Sequence, residues 1–276
     1  MSGLKARALE LLSAAKSGDP IQSLKRSVDA QTLWPESLDR EADNAASILR
    51  SFFVDGFIVP YRTASSCPQE IIKKSQGLAV FHVLRDDLRS PAASGSGVIL
   101  ARSPDGKWSD TAGILVDFDL PKTSELEVID VVLVFRDKQS LEAISRDDCV
   151  LGKTLRFSPG PLPKSDAGAE GYSTDSFLAP VWIYAKSKGH SIDLKLDGLK
   201  IYQAQDENDR YYGVHGISAK EILSGQAKGP SGGASTLRTT ITALDTQSGD
   251  YSGLPASGSC PGDKRVRKGN STNVTS

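Results

Sequence analysis

From Gly77 onward the chain is written in short β-type runs: GLAVFHVL, GVILAR, AGILVDF, ELEVIDVVLVF, LAPVWIYAK and IDLKLDGLKIY. Clusters of Gly, Pro, Asp and Ser divide them, which is the punctuation a mostly antiparallel sheet requires. The stretch SGSGVILARSPDGKWS sharpens this expectation. A glycine loop that cradles phosphate leads from a strand into a helix, whose N-terminal amides hold the anion. Here Gly95 and Gly97 instead precede the apolar run Val98-Ile99-Leu100, and Pro104-Asp105-Gly106 then signals a turn before Trp108. A hairpin fits, with glycines where backbones approach closely.

Helical patterning surrounds these runs. In LKARALELLSAAK, Leu4, Ala8, Leu11 and Ala15 form a narrow apolar stripe flanked by Lys5 and Arg7, ended by Gly18-Asp19-Pro20. Such a helix either packs on its own domain or lies in a membrane interface. Ile21, Leu24 and Val28 suggest a further short helix. A longer one is expected between Pro35 and Phe57, with Leu38, Ala42, Ala45, Ala46, Leu49 and Phe53 on its apolar side, and a brief helical turn from Cys67-Pro68 through Lys74. Lys138 to Ser145 and Ser218 to Leu223 are expected as helices later in the chain. DENDRYYG reads as a strand end with one tyrosine ring buried and one exposed, or as an aromatic platform for a ligand. After Gly225 the apolar periodicity stops, and the segment ending in KRVRKGNSTNVTS reads as a disordered tail.

The chain has 276 residues, 38% of them hydrophobic and 24% charged, as in ordinary globular proteins. No apolar run nears the roughly 20 residues that span a bilayer, and the N-terminus lacks a signal-peptide core, so a cytoplasmic location is expected and the sequons at Asn270 and Asn273 are expected to go unused. Cys67, Cys149 and Cys260 are far apart and form no CxxC pair, which indicates neither a disulfide framework nor a zinc site. The net charge of −1 conceals an asymmetry. Residues 1–33 hold five Lys/Arg against three Asp/Glu, and residues 227–276 hold six against three, so the body between is acidic. An acidic body argues against nucleic acid as the main partner, and basic ends suit an anionic surface.

Catalytic constellations fail on context. His82, His190 and His215 are far apart with no carboxylate at metal-ligand spacing, so neither a metal nor another cofactor is expected. Asp86-Asp87 and Asp147-Asp148 fit solvated turns. Tyr184 and Lys188 spell the YxxxK of some nicotinamide reductases, but they continue a strand where that motif needs a helix, and no dinucleotide-binding opening precedes them. No serine lies in a GxSxG elbow. The chain is not expected to be an enzyme.

Taken in order, several segments resemble the SYLF domain family. LWPESLDREADNAASIL matches its opening, PQEIIKKSQGLAVFHVL its proline and lysine-glycine-leucine signature, and GSGVILARSPDGKWS follows it almost residue for residue. SPGP at 158–161, YAKSKG at 184–189, NDRYYG at 208–213 and ISAKEILSG keep the order and spacing. The chain departs from the pattern where Asp117, Asp119, Pro121 and Glu125 replace small residues, where Gly160-Pro161-Leu162-Pro163-Lys164 replaces glycine-proline-x-glycine-arginine, and where His190-Ser191-Ile192-Asp193 follows YAKSKG. It is therefore similar to a divergent member.

The resemblance implies an α+β fold, with N-terminal helices packed on a twisted, mostly antiparallel sheet or partly closed barrel. The organisation expected is a helical extension over 1–33, the SYLF-like domain over 34–226 and the basic tail over 227–276. Yeast members bind actin and animal members bind phosphoinositides, so the resemblance implies a non-catalytic adaptor in endocytosis. One version is peripheral to the membrane and grips phosphoinositide or another acidic phospholipid through Lys5, Arg7, Lys16, Lys25 and Arg26, with Lys73 and Lys74 as a second basic step. The other binds filamentous actin or another protein without lipid. No run of short strands after Gly225 suggests an SH3 domain.

Overall fold

The computed structural model describes residues 37–55, 68–86, 92–119, 127–145, 149–160, 178–188, 190–191, 198–246, 251, 254 and 260–263. The N-terminal helix expected over 4–16, the one around Ile21–Val28 and the KRVRK cluster lie outside them. The described elements run α1 (Leu38–Phe53), α2 (Pro68–Lys74), β1 (Gly77–Asp86), β2 (Ala92–Ala101), β3 (Ala112–Asp119), β4 (Glu127–Phe135), α3 (Lys138–Ile144), β5 (Cys149–Val150), β6 (Ser158–Pro159), β7 (Val181–Ser187), β8 (His190–Ser191), β9 (Lys200–Gln203), α4 (Gln205–Tyr212), α5 (Ala219–Leu223) and α6 (Ser235–Asp245), with a closing 3-10 turn at Pro261–Asp263.

The strands form one sheet in the order β5-β9-β3-β2-β1-β4-β7-β6, with β8 paired to β7, and it curls strongly into a half-barrel. Every pairing is antiparallel except β6 with β7. The α+β architecture expected from the sequence is thus the one observed. Both faces are covered, which explains why β1 and β4 read as near-continuous apolar runs. On one face Ala79, Phe81, Val83, Ile129, Val131 and Leu133 pack beneath α3 and α5. On the other, Leu78, Val80, Val98, Leu100, Val132 and Val134 meet α1, α2 and α6.

The glycine-rich segment is strand β2, and it pairs with β1 in register Phe81↔Gly97 and Val83↔Gly95. A Cβ at Gly97 would stand 2.5 Å from the Phe81 Cα, and one at Gly95 would overlap the His82 carbonyl oxygen, so only glycine admits this approach. The turn at Pro104–Gly106 closes as expected: the Gly106 N–H donates to the Ser103 carbonyl at 2.9 Å, and Gly106 takes a φ of 82°.

Two expectations need correction. DENDRYYG lies in helix α4 and is no strand end; Gly213, in the left-handed region, terminates it. The rings of Tyr211 and Tyr212 meet edge to face with centroids 5.1 Å apart. The segment from residue 227 is also ordered where described, since it carries helix α6 and the turn over Pro261–Asp263. Leu237, Ile241 and Leu244 fall at i, i+4 and i+7 and are buried against α1 and α2. Gly, Ser and Thr neighbours lower the propensity of this stretch, and tertiary burial of the stripe outweighs them.

Candidate functional site

Of the seven cations expected to contact lipid, Lys5, Arg7, Lys16, Lys25 and Arg26 lie outside the described residues. Lys73 and Lys74 are exposed in the last turn of α2. Lys74 forms an i,i+4 ion pair with Glu70 at 3.0 Å, so part of its charge is already matched.

Arg102, at the end of β2, sets where that helix end sits. Its guanidinium donates to the Ser75 carbonyl at 3.1 Å and to the Ile72 carbonyl at 3.2 Å, which also accepts from the Ser75 N–H and hydroxyl. It also donates to the Gly106 carbonyl at 2.9 Å, grips both carboxylate oxygens of Asp245 at 2.8 and 3.0 Å, and lies over the Trp108 ring at 4.4 Å from its centroid. One side chain thus joins the C-terminal ends of α2 and α6 to the β2–β3 hairpin. A second tie runs from Asp110, which accepts from Arg238 at 2.6 Å and from the Gly229 N–H at 3.0 Å.

A row of polar side chains crosses the sheet beneath α1. Ser96 of β2 is opposite His82 of β1, His82 is opposite Asp130 of β4, and Asp130 is opposite Lys186 of β7. Directly opposed residues share a face, and all four are at most 2% exposed. Helix α1 lies along this row. Three strand spacings amount to about 14 Å, and the rise from Glu41 to Ser51 is about 15 Å. The ends register accordingly: the Ser96 hydroxyl donates to Glu41 Oε1 at 2.7 Å, and Lys186 Nζ donates to the Ser51 hydroxyl.

The Lys186 end is closed by the last described residues. Lys186 Nζ donates to Asp263 Oδ1 at 3.1 Å and to Cys260 Sγ at 3.4 Å, while the Gly262 N–H donates to Asp130 Oδ1 at 2.9 Å. Burial, partly countered by Lys186 and the Gly262 N–H, pushes the Asp130 carboxyl up to about 7. Burial likewise drives the Cys260 thiol up to about 12, which keeps it protonated and a poor nucleophile. Burial alone would favour a neutral Lys186, but its hydrogen bond to Asp263 and the nearby Asp130 and Asp263 carboxylates outweigh it and its pKa is raised.

This buried row was missed from sequence, although His82 and Asp130 interrupt the apolar runs LAVFHVL and EVIDVVLVF and Lys186 directly follows VWIYA. The other histidines do not join it. His190 is exposed, and exposed His215 pairs with Asp209 at 2.9 Å. Among the described residues no group of three or more His, Cys, Asp or Glu is arranged to hold a metal ion. Tyr184 sits in the core, edge-on to Phe53 at 5.9 Å, whereas Lys188 lies past the strand end at a φ of 51°, so the two do not form a reductase pair. Tyr211 packs against Gly229 and Gly233, and the Tyr212 hydroxyl donates to the Thr111 carbonyl at 2.8 Å. These contacts spend both rings on the fold and leave no stacking platform.

Comparison with known proteins adds the following. The sequence model of the Ysc84 family, described as "Las17-binding protein actin regulator", matches residues 126–244. Protein YSC84 of Saccharomyces cerevisiae is 31% identical over 206 residues, covering 74% of this chain and 43% of the relative. LAS seventeen-binding protein 3 of the same organism is 30% identical over 198 residues, covering 71% and 42%. SH3 domain-containing YSC84-like protein 1 of Bos taurus is 32% identical over 205 residues, covering 71% and 57%. The chain thus spans about half the length of the curated relatives it matches. No solved structure matches.

Proposed function

Because the chain belongs to the Ysc84 (SYLF) family, we propose that it acts as a non-catalytic adaptor in actin regulation, binding a Las17-like protein or filamentous actin directly. The family's description as a Las17-binding actin regulator carries this reading, and two relatives bear Las17-binding or Ysc84 names. The buried ionisable groups support it: Asp130 and Lys186 are buried under α1 and engaged with the Gly262 N–H and with the partly exposed Asp263.

A finer part of the proposal is recruitment to acidic phospholipid, phosphoinositide in particular, at the cytoplasmic face of the membrane or the actin cortex. Lys5, Arg7, Lys16, Lys25 and Arg26 would each contribute about 1 kcal/mol near an anionic surface, offset by Glu10, Asp19 and Asp29. The exposed Lys73 adds to them. No helix among the described residues is long and apolar enough to cross a membrane, so the contact envisaged is peripheral.

Co-sedimentation separates the two parts. Full-length protein and a variant lacking residues 1–33 are spun with filamentous actin, and with liposomes containing or lacking a few per cent phosphoinositide. Actin pelleting by both proteins is expected, and lipid pelleting only by the full-length chain, weakening with salt. Absence of actin pelleting together with no capture of a Las17-like protein refutes the adaptor reading. Lipid pelleting that survives both truncation and Lys73→Glu/Lys74→Glu refutes the basic-segment reading.

A further inference from the structure

The closing residues Cys260–Asp263 contact the domain in the manner of a bound peptide. Main-chain groups are read on both sides: the Gly262 N–H donates to Asp130 Oδ1 at 2.9 Å, and the Gly262 carbonyl accepts from the Lys188 N–H at 2.7 Å. The Asp263 carboxylate receives Lys186 Nζ at 3.1 and 3.3 Å. The Cys260 side chain is 2% exposed and directs its thiol to the Ser47 carbonyl at 3.7 Å and to Asp263 Oδ2 at 3.1 Å. The central position reads for size as well, because a Cβ on Gly262 would stand 2.7 Å from the Asp130 Cγ. The seat therefore takes a buried Cys260, a buried Pro261, a glycine and then a carboxylate.

The seat draws on residues both inside and outside the stretch that matches the family, since Ser47 and Ser51 precede it. Asp130, Lys186 and Lys188 lie inside the residues that match the family, 126–244, and Cys260–Asp263 lie beyond them. A cation sealed at 2% exposure requires an anionic partner. With the segment removed, Lys186 and the Lys188 N–H would face a groove between α1 and β7 that lacks Asp263 and the Gly262 carbonyl.

We propose that this groove is a peptide-docking site for a small residue, a proline, a glycine and a carboxylate in succession, and that its resident ligand is this chain's own Cys260-Pro261-Gly262-Asp263. The inference is independent of whether the protein binds lipid or actin. Tethering through the chain between Thr246 and Cys260 holds the ligand at an effective concentration of about millimolar, so the segment occupies the groove at rest. A free peptide of the same chemistry then competes poorly with the tethered copy. Lys264-Arg265-Val266-Arg267-Lys268 follows directly in the sequence, so the docked segment also sets where this basic run begins.

The test uses a fluorescein-labelled peptide of residues 256–265, read by anisotropy against the full chain and against a variant ending at Ser259. The expected result is that the shortened protein binds the peptide and the full chain binds at least about ten-fold more weakly. Binding should be lost with Lys186→Met in the shortened protein, or with Asp263→Asn in the peptide. Equal binding to both proteins, or no binding to a shortened protein whose circular dichroism matches the full chain, overturns the proposal. Should the shortened protein fail to fold, the readout is tryptic cleavage after Lys264 and Arg265 in the full-length Asp263→Asn variant. Faster cleavage there than in the unaltered chain, with α6 still protected, supports the docked ligand, and an unchanged rate overturns it.

Discussion

Replacing Arg102 by alanine tests whether the segment after residue 226 belongs to the folded domain. The guanidinium is 13% exposed and its Asp245 partner 24%, so the pair is only partly screened by water. The charge-assisted fork to Asp245, at 2.8 and 3.0 Å, is assigned about 1.5–2 kcal/mol. Stacking over Trp108 at 4.4 Å adds about 0.5–1 kcal/mol. The three backbone carbonyls lose their donor but regain some water, a further cost of about 0.5–1 kcal/mol. The total is about 3 kcal/mol, near the upper end of ordinary point substitutions. Urea unfolding followed by tryptophan fluorescence measures it. Asp245→Ala and the double variant complete a cycle whose coupling energy should be about 1.5 kcal/mol. Arg102→Lys should recover only a minor part, since an ammonium cannot make the bidentate fork. A loss below about 1 kcal/mol, or strict additivity with Asp245→Ala, would refute the reasoning, because it would mean α6 is not tied to the hairpin through this side chain.

Other outcomes follow from the same geometry. The Asp130 carboxyl is raised in the folded protein, so its contribution to stability is fully present below its unfolded pKa and is lost as pH rises toward about 7; stability measured from pH 4 to 8 should fall across that window, and Asp130→Asn should flatten the slope. Gly97→Ala should prevent folding, read as loss of cooperative thermal unfolding, because its methyl group meets the β1 backbone. Gly106→Ala has open space and only its φ of 82° against it, and should cost about 1 kcal/mol. Leu237 is fully buried, and Leu237→Ala should cost about 2–4 kcal/mol in urea unfolding if α6 is part of the core. Ser218→Ala removes the capping box of α5 and should cost about 1 kcal/mol in the same assay.

The sheet and most helices were legible because their signals are local. Short apolar runs and turn residues marked β1 to β4 and β7, the stripe Leu38-Ala42-Ala45-Leu49-Phe53 marked α1, and the segment from Ser218 to Leu223 marked α5. Gly95 and Gly97 were read correctly as strand glycines at a close backbone approach. The failures have one cause. In α4 the polar run QDENDRYY buries Asn208, which accepts from the Gly113 N–H at 2.7 Å and is fixed by a partner far away in sequence. In α6 the three apolar residues are too few to suggest a helix until α1 and α2 supply the surface that covers them.

By itself the sequence determined the secondary-structure period of each strong segment, the reversals between strands and the family the chain resembles, because each depends on residues close together along the chain. Only the tertiary structure decided which polar residues meet. Ser96, His82, Asp130 and Lys186 come from four strands, and they become one row only when the register of three strand pairs aligns them and α1 lays Glu41 and Ser51 at the two ends. Arg102 and Asp245, 143 residues apart, follow the same rule. A buried charge is tolerated only beside a partner, and the identity of that partner is a property of strand register and helix placement, which no local stretch of sequence encodes.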